Sequence, residues 1–589
     1  MKWVSAAFVA VALAGCASSP RPGPVAAAGG GFSPTAPCEG LARARVPDRT
    51  TVIGSAVAQP ASKTAGSPFA PPADVPAHCE IFGKLQERQG ANGQTYAIKF
   101  HLRLPAQWNG KFFFQGGGVS NGVVGDALGN LMAAQPGNAL SLGYAVISQD
   151  SGHDNATNND PKLQGIGTFG WDAEARRNYG GASIGPVVRT GKALIAAYYG
   201  RRPSLTYYVG GSKGGQEGFM ALQRFPEEFD AVLAGYPGFH LASAGGVAQM
   251  WDAQAMAEAA KAMNVTMADG QPLLNKAFSD ADLLLVSDAV LKACDGLDGT
   301  VDGIIDDFPA CTTAKVSPAL GAVTCLGPKT DACLAPAQVA AMRLVFDGAR
   351  DKEGRQLYST WPWDAGIAGR TAQGVSQGWR AWKIGPYASD VNSSRAIMLG
   401  GGSASAAFTS PPTPVVDTPA GMTRYALGVD VEANAAKVKV KWGRFNESAA
   451  DYMHADAVDL SKFTAKGGKL LIFHGVADPV FSINDTIAWL DKVNAHVGGR
   501  AGNFVRLFAV PGMNHGGGGP ATDQIDAFSA LVAWREQGTA PASLVGRARA
   551  DTPWPGRTRL LCPYPQQPRR VGTDLEKADS FRCTDVAPR

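Results

Sequence analysis

The chain is 589 residues long, 45% hydrophobic and 18% charged, with a formal net charge of +4. That length and apolar content allow a large buried core. So small a charge, with no long basic run, disfavours nucleic-acid binding and gives no strong field for an ionic substrate.

The first residues carry the marks of export. Lys2 supplies a positive charge, Trp3 to Ala14 an apolar stretch, and Leu13-Ala14-Gly15-Cys16 a small-residue cleavage site ending in cysteine. These four residues resemble the bacterial lipobox, in which the cysteine is lipidated and becomes residue one. An ordinary signal peptide with a chance cysteine is the alternative. Residues 1–15 are thus expected to be a lipoprotein signal, with Cys16 as the lipidation site. Ala17 after the cysteine favours outer-membrane sorting by the same resemblance. Residues 16–36, rich in Pro, Gly and Ala, read as a tether. No later segment has the length and apolarity of a membrane span. The expectation is a cell-envelope protein that is lipid-anchored rather than spanning.

There are nine cysteines. Setting Cys16 aside leaves an even number, which in an exported chain reads as a disulfide framework. Sequence neighbours suggest Cys38–Cys79, Cys294–Cys311, Cys325–Cys333 and Cys562–Cys583. No C-x-x-C pair is present, so a zinc or redox reading has little support there.

Residues 37–241 read as the first part of an α/β core. Tyr96–Leu104, Gly110–Phe114 and Gly143–Gln149 are predicted strands, and Val187–Tyr199 is a predicted helix. Leu205–Val209 is the next strand, a helix follows from about Gln216 to Phe225, and Phe229–Gly235 is another strand. Such alternation implies a mostly parallel sheet covered by helices, the α/β-hydrolase pattern. Between Leu205–Val209 and its helix lies Gly210-Gly211-Ser212-Lys213-Gly214. A G-x-S-x-G at a strand-to-helix turn is a nucleophile elbow. Its tight turn leaves no room for a Cβ on either side, and it lifts the serine Oγ above the sheet.

Residues 242–460 form an insertion, read as a lid domain that covers Ser212 and shapes its pocket. Trp361, Trp363, Trp379, Trp382 and Phe408 lie in it. They form either an aromatic wall for a substrate ring or the core of the lid. The insertion also holds the run Asp295 to Asp306, with carboxylates three and four residues apart and glycines between. Calcium takes six to eight such oxygens in flexible geometry. The EF-hand spacing is absent, and a solvated acidic turn is the alternative. Cys294 and Cys311 bracket the loop.

The core pattern resumes over residues 461–589. Lys469–Phe473 is a strand followed by His474-Gly475-Val476-Ala477-Asp478. Phe504–Val510 is another, followed by Pro511-Gly512-Met513-Asn514-His515, and a helix is predicted from about Asp523 to Gln537. A serine nucleophile needs a base, and the base an orienting acid. In this fold the chain order is Ser, acid, His. Asp478 is assigned as the acid and His515 as the base, each just past the carboxyl end of a strand. His474 is the competing histidine and Asp485 the fallback acid. The oxyanion hole is expected from the Lys213 backbone N–H plus one from Gly117 or Gly118.

With these pieces in this order, the chain resembles the tannase and feruloyl esterase family, which also takes in a terephthalate-ester hydrolase. The resemblance runs from about Pro37 to Thr584. It rests on Leu104-Pro105 through Trp108-Asn109-Gly110-Lys111, then Phe114 to Gly118, the elbow, Gln223 to Asp230, Cys294 to Ile304 and His474 to Pro479. It implies a serine carboxylesterase of aromatic (feruloyl, galloyl or terephthaloyl-like) esters with no organic cofactor. It also implies a structural calcium on the Asp295, Asp298 and Asp302 side chains and the Thr300 and Ile304 carbonyls. Two other classes compete: a serine peptidase on a related fold, and a non-catalytic calcium-binding envelope protein. One departure stands out. The family usually joins a cysteine before the serine to one after the histidine, and here those positions are Gly211 and Gly516. The two glycines are expected close together, so that cysteines placed there would form a stabilising bridge. Lys213 is expected either to add charge near the oxyanion or to point to solvent.

Overall fold

The computed structural model describes residues 31–65, 72–371, 374–375 and 378–586. The expected signal, Cys16 and most of the tether lie outside them. The tether's last residues are not a free spacer. Phe32 forms a backbone bridge with Trp108, and the Thr35 N–H donates to the Tyr198 carbonyl at 2.8 Å. No helix of the described residues is long and apolar enough to cross a membrane.

Nine strands form one sheet. In chain order they are β1 (Val52–Gln59), β2 (His78–Gln89), β3 (Thr95–Pro105), β4 (Lys111–Gln115), β5 (Ala145–Gln149), β6 (Leu205–Gly211), β7 (Ala231–Gly235), β8 (Lys469–Gly475) and β9 (Val505–Val510). Their order across the sheet is β1-β2-β3-β5-β4-β6-β7-β8-β9. From β5 to β9 every pairing is parallel. The β1, β2 and β3 pairings are antiparallel.

The parallel strands are continuous apolar runs because both faces of the sheet are covered. Alternate side chains of β4 go to opposite faces. Phe112 and Phe114 join Val188, Leu194, Phe219 and Met220 on one side, from helices α1 (Ile184–Tyr199) and α2 (Lys213–Arg224). Phe113 goes to the other with Tyr207, Phe528 and Leu531.

Between β7 and β8 the chain makes a long excursion built on helices α3 (Gln249–Ala262), α4 (Asp280–Cys294) and α5 (Pro336–Asp347). Its apolar side chains, Trp361, Trp363 and Trp379 among them, share a hydrophobic cluster with Phe169, Tyr179 and Phe481 from outside the excursion. The chain returns to the sheet through β8, α6 (Ile483–His496), β9 and α7 (Ala527–Gln537). The four expected disulfides are all present.

Candidate active site

Ser212 sits between β6 and α2 with φ 61° and ψ −122°, a conformation that costs a non-glycine residue about 1–3 kcal/mol. The turn closes because its neighbours are glycine. A Cβ on Gly214 would lie 2.5 Å from the Gly117 carbonyl oxygen, and one on Gly210 2.8 Å from that of Gly214. Asp478 and His515 sit in the loops after β8 and β9, side by side at the carboxyl end of the sheet.

The three side chains form a chain of hydrogen bonds. His515 Nδ1–H donates to Asp478 Oδ2 at 2.8 Å. That acceptor fixes the imidazole tautomer, so His515 Nε2 accepts from Ser212 Oγ, 2.8 Å away. Asp478 Oδ1 also accepts the backbone N–H groups of Val480 at 2.7 Å and Phe481 at 3.1 Å. Burial alone would raise this carboxyl. The charge of His515 and the hydrogen bonds from His474 and His515 outweigh burial and hold it well below the usual carboxylate range.

His474 is a buried support. Its ring reaches Thr486 Oγ1 at 3.1 Å and the Phe481 carbonyl at 3.0 Å. Asp485 pairs with His240 instead of His515.

The Lys213 side chain does neither of the things expected of it. It turns inward and is buried, 3.1 Å from Glu217 Oε1 one helical turn on and 2.8 Å from Gln216 Oε1. Glu217 is a hub that the sequence reading missed. Besides Lys213 it accepts from Tyr208 OH at 2.8 Å, Asn121 Nδ2 at 2.6 Å, Ser151 Oγ at 2.9 Å and the Gly117 N–H at 3.2 Å. Burial pushes its carboxyl up, but Lys213, Tyr208 and Gly117 together hold it below its ordinary value. The Gly117 N–H is therefore committed. The backbone N–H groups of Gly118 and Lys213 have no acceptor among the described residues.

Ser212 opens onto a cavity of about 320 Å³ lined by Val119, Ser120, Ile166, Trp382, Arg395, Met398, Phe408 and Phe481 among others. Trp382 and Phe481 stand edge-on to His515, with ring centroids 5.2 and 5.5 Å away. The five aromatics singled out in the insertion divide: Trp382 and Phe408 line the cavity, while Trp361, Trp363 and Trp379 are core. The excursion also braces the histidine loop. Asp364 accepts the Gly512 N–H at 3.1 Å on both carboxylate oxygens.

A family model described as "Tannase and feruloyl esterase" matches residues 79–584. This chain belongs to that family. It is 40% identical over 552 residues to the mono(2-hydroxyethyl) terephthalate hydrolase of Piscinibacter sakaiensis, covering 91% of this chain and 89% of the relative. It is 23% identical over 548 residues to the tannase of Aspergillus oryzae, covering 84% and 83%. The solved structure of feruloyl esterase B from Aspergillus oryzae has the same fold, with a TM-score of 0.66 at 22% identity over 93% of this chain and 99% of that one. Like the relatives that name the family, the chain is a carboxylic ester hydrolase.

Where the family's bridge would lie, Tyr236 stands. A Cβ on Gly211 would fall 2.5 Å from both the Cζ and the hydroxyl of Tyr236, and one on Gly516 3.4 Å from the same hydroxyl. The phenol thus occupies the space in front of both glycines. A cysteine at 211 would collide with it, while one at 516 would only touch it, so the expected engineered bridge does not fit as the chain stands. Gly516 also has φ 81°, which strains any side chain placed there.

The acidic loop is buried and compact. Asp295, Asp298, Thr300 and Asp306 are all buried. Burial, then the like charges of Asp302 and Asp295, push the Asp298 carboxyl up to about 6. Asp306 is raised further by burial and by Asp298 and Asp302. Asp302 pairs with Arg559 from the C-terminal strands, and its carbonyl accepts from Arg557 Nη1 at 2.7 Å. The carbonyls of Thr300 and Ile304 accept no hydrogen bond among the described residues.

Proposed function

We propose that this protein is a serine carboxylesterase of aromatic esters that works through an acyl-enzyme. The observation that carries the reading is the unbroken hydrogen-bond chain from Ser212 through His515 to Asp478 at a strained strand-to-helix turn. His515 Nε2 takes the Ser212 proton as Oγ attacks the ester carbonyl. Asp478 holds the imidazole and offsets the charge it gains. The Lys213 and Gly118 N–H groups receive the oxyanion. His515 then protonates the leaving alkoxide, and a water activated by the same imidazole releases the acid.

The excursion between β7 and β8 acts as a lid. Its Trp382 and Phe408 give the cavity an aromatic wall suited to a feruloyl, galloyl or terephthaloyl ring. The 40% identity to a mono(2-hydroxyethyl) terephthalate hydrolase supports that ring class.

The acidic loop holds a structural calcium through the Asp295, Asp298 and Asp302 carboxylates and the Thr300 and Ile304 carbonyls. The loop's donors are hard oxygens, and its buried negative charges are only partly offset by Arg559. The ion supplies that missing charge and has no part in the chemistry. Export and anchoring through a lipid on Cys16 complete the reading.

A panel of purified aromatic and aliphatic esters tests the substrate class. Higher kcat/KM on feruloyl, galloyl or terephthaloyl esters than on short aliphatic ones is expected. Equal or better turnover of the aliphatic esters would overturn the aromatic assignment.

A further inference from the structure

Among the described residues, one set of three His, Cys, Asp or Glu side chains brings its ligand atoms within 4.8 Å of one another: His240, His454 and Asp456. It is separate from the Ser212 triad and from the acidic loop. His240 lies in the turn after β7 and begins the short helix Leu241–Ser243. His454 and Asp456 follow the helix Ala449–Met453, where the excursion returns to the core. A backbone hydrogen bond from the Ala455 N–H to the Phe239 carbonyl, 3.0 Å, pins the two segments together.

The histidines are arranged as ligands are. His240 Nδ1–H donates to Asp485, with its two oxygens at 2.9 and 3.0 Å. That bond leaves Nε2 facing Asp456 Oδ2 at 3.1 Å. A carboxylate on the far nitrogen is the outer-shell partner that metal-bound imidazoles usually have. The His454 ring lies edge-on to His240, with centroids 5.1 Å apart. His454 Nε2 is buried and has no hydrogen-bond partner, although buried polar atoms are nearly always paired. An ion pair between His240 and its two aspartates would leave His454 without a role. A cation uses both rings.

We propose that His240, His454 and Asp456 bind a divalent transition-metal cation, zinc by the chemistry of the donors, with Asp485 as the outer carboxylate on His240. Two imidazole nitrogens and one carboxylate suit zinc, with water as the remaining ligand. Asp456 is more than half exposed, so the ion has a path from solvent. The site fastens the β7 turn to the returning excursion and, through Asp485, to the first turn of α6. Its role is to brace the fold beside the reaction centre. The cysteine pattern gave no hint of it, because no cysteine takes part and His240 is far in sequence from His454 and Asp456.

The test uses the mature chain without a histidine tag. The protein is stripped with a chelator and dialysed against low-micromolar zinc in excess calcium, which occupies the acidic loop. Bound zinc is then counted by atomic spectroscopy, and melting is followed with and without zinc. About one zinc per chain and a higher Tm are expected for the parent and for His515→Ala. Asp456→Asn and His454→Ala are expected to lose both. The Asp456 side chain is exposed, so its variant folds regardless and serves if His454→Ala does not. No retained zinc in the parent, or full retention in Asp456→Asn, would overturn the proposal.

Discussion

Tyr236 packs edge-on against the imidazole of His515, with ring centroids 4.8 Å apart and planes at 70°. The other end of the same phenol fills the space in front of Gly211 and Gly516. One partly buried side chain therefore touches the loop before the serine, the loop after the histidine and the histidine itself. It spans the place where relatives are expected to have a covalent tie, and it holds the loops by packing.

Tyr236→Ala should lower both kcat and stability, since it removes a partly buried aromatic ring from between two loops. A loss of about 3 kcal/mol is expected from the cavity, with kcat down about tenfold or more as Ser212 and His515 drift. Tyr236→Phe keeps the packing and should change neither much. Gly211→Cys with Gly516→Cys should stay reduced while Tyr236 is present, and a thiol count after oxidation checks it. A bridge formed in that background would mean that the phenol is not the spacer.

Ser212→Ala removes only Oγ and leaves the elbow intact. Ester turnover should fall by about 10⁴–10⁶, with the melting temperature little changed. Turnover within tenfold of the parent would reject Ser212 as the nucleophile.

Lys213 and Glu217 form a fully buried ion pair. Removing one partner of such a pair strands the other charge and typically costs about 3–5 kcal/mol. Glu217→Ala also frees Asn121, Ser151 and the Gly117 N–H, which hold the loop that carries Gly118. A fall in kcat larger than any rise in KM is the expected signature, read alongside denaturant unfolding. Unchanged kcat would show that the loop does not depend on this carboxylate.

Burial raises the Asp364 carboxyl to about 6, against the pull of the Gly366 and Gly512 N–H groups. Its unfolded value is about 3.9. The folded protein therefore holds this proton more tightly, and the stability it contributes is complete below about pH 4. That contribution is lost as the pH rises to about 6, a change on the order of 2–3 kcal/mol. Asp364→Asn stays neutral and should lack this component between pH 4 and 6. Urea unfolding at several pH values distinguishes the two, and identical slopes would refute the assignment.

Chelation should lower the melting temperature while leaving kcat nearly unchanged at assay temperature, because the acidic loop is remote from Ser212 in the chain. Asp298→Asn with Asp302→Asn should reproduce the effect and abolish the response to added calcium. Equal melting with and without chelator would make the loop an ordinary acidic turn.

The parallel half of the sheet was legible because its strands are buried on both faces and therefore written as unbroken apolar runs. The elbow and the two strand ends that carry Asp478 and His515 followed from it. The edge strand β1 and its neighbour β2 were not legible. Their burial alternates irregularly, with a register shift in each, so no clean period marks them. Helix α2 begins at Lys213, not near Gln216 as its glycines suggested, because packing of Gly214 and Gly215 against backbone overrides their weak helix propensity. Of the site, Glu217 had a faint signal in its spacing of four from Lys213, which reads equally well as a surface pair. Tyr236 and Asp364 had none. Their roles exist only once distant segments meet.

The four disulfides close stretches of 41, 17, 8 and 21 residues. Each staples a local piece, and none joins the loops that bear Ser212, Asp478 and His515. Thiol reductants should therefore soften the periphery, most where the closed loop is longest, while the reacting groups keep their alignment through Tyr236, Glu217 and Asp364. A chain made in a reducing cytoplasm would be less durable than the oxidised form but equally competent per folded molecule.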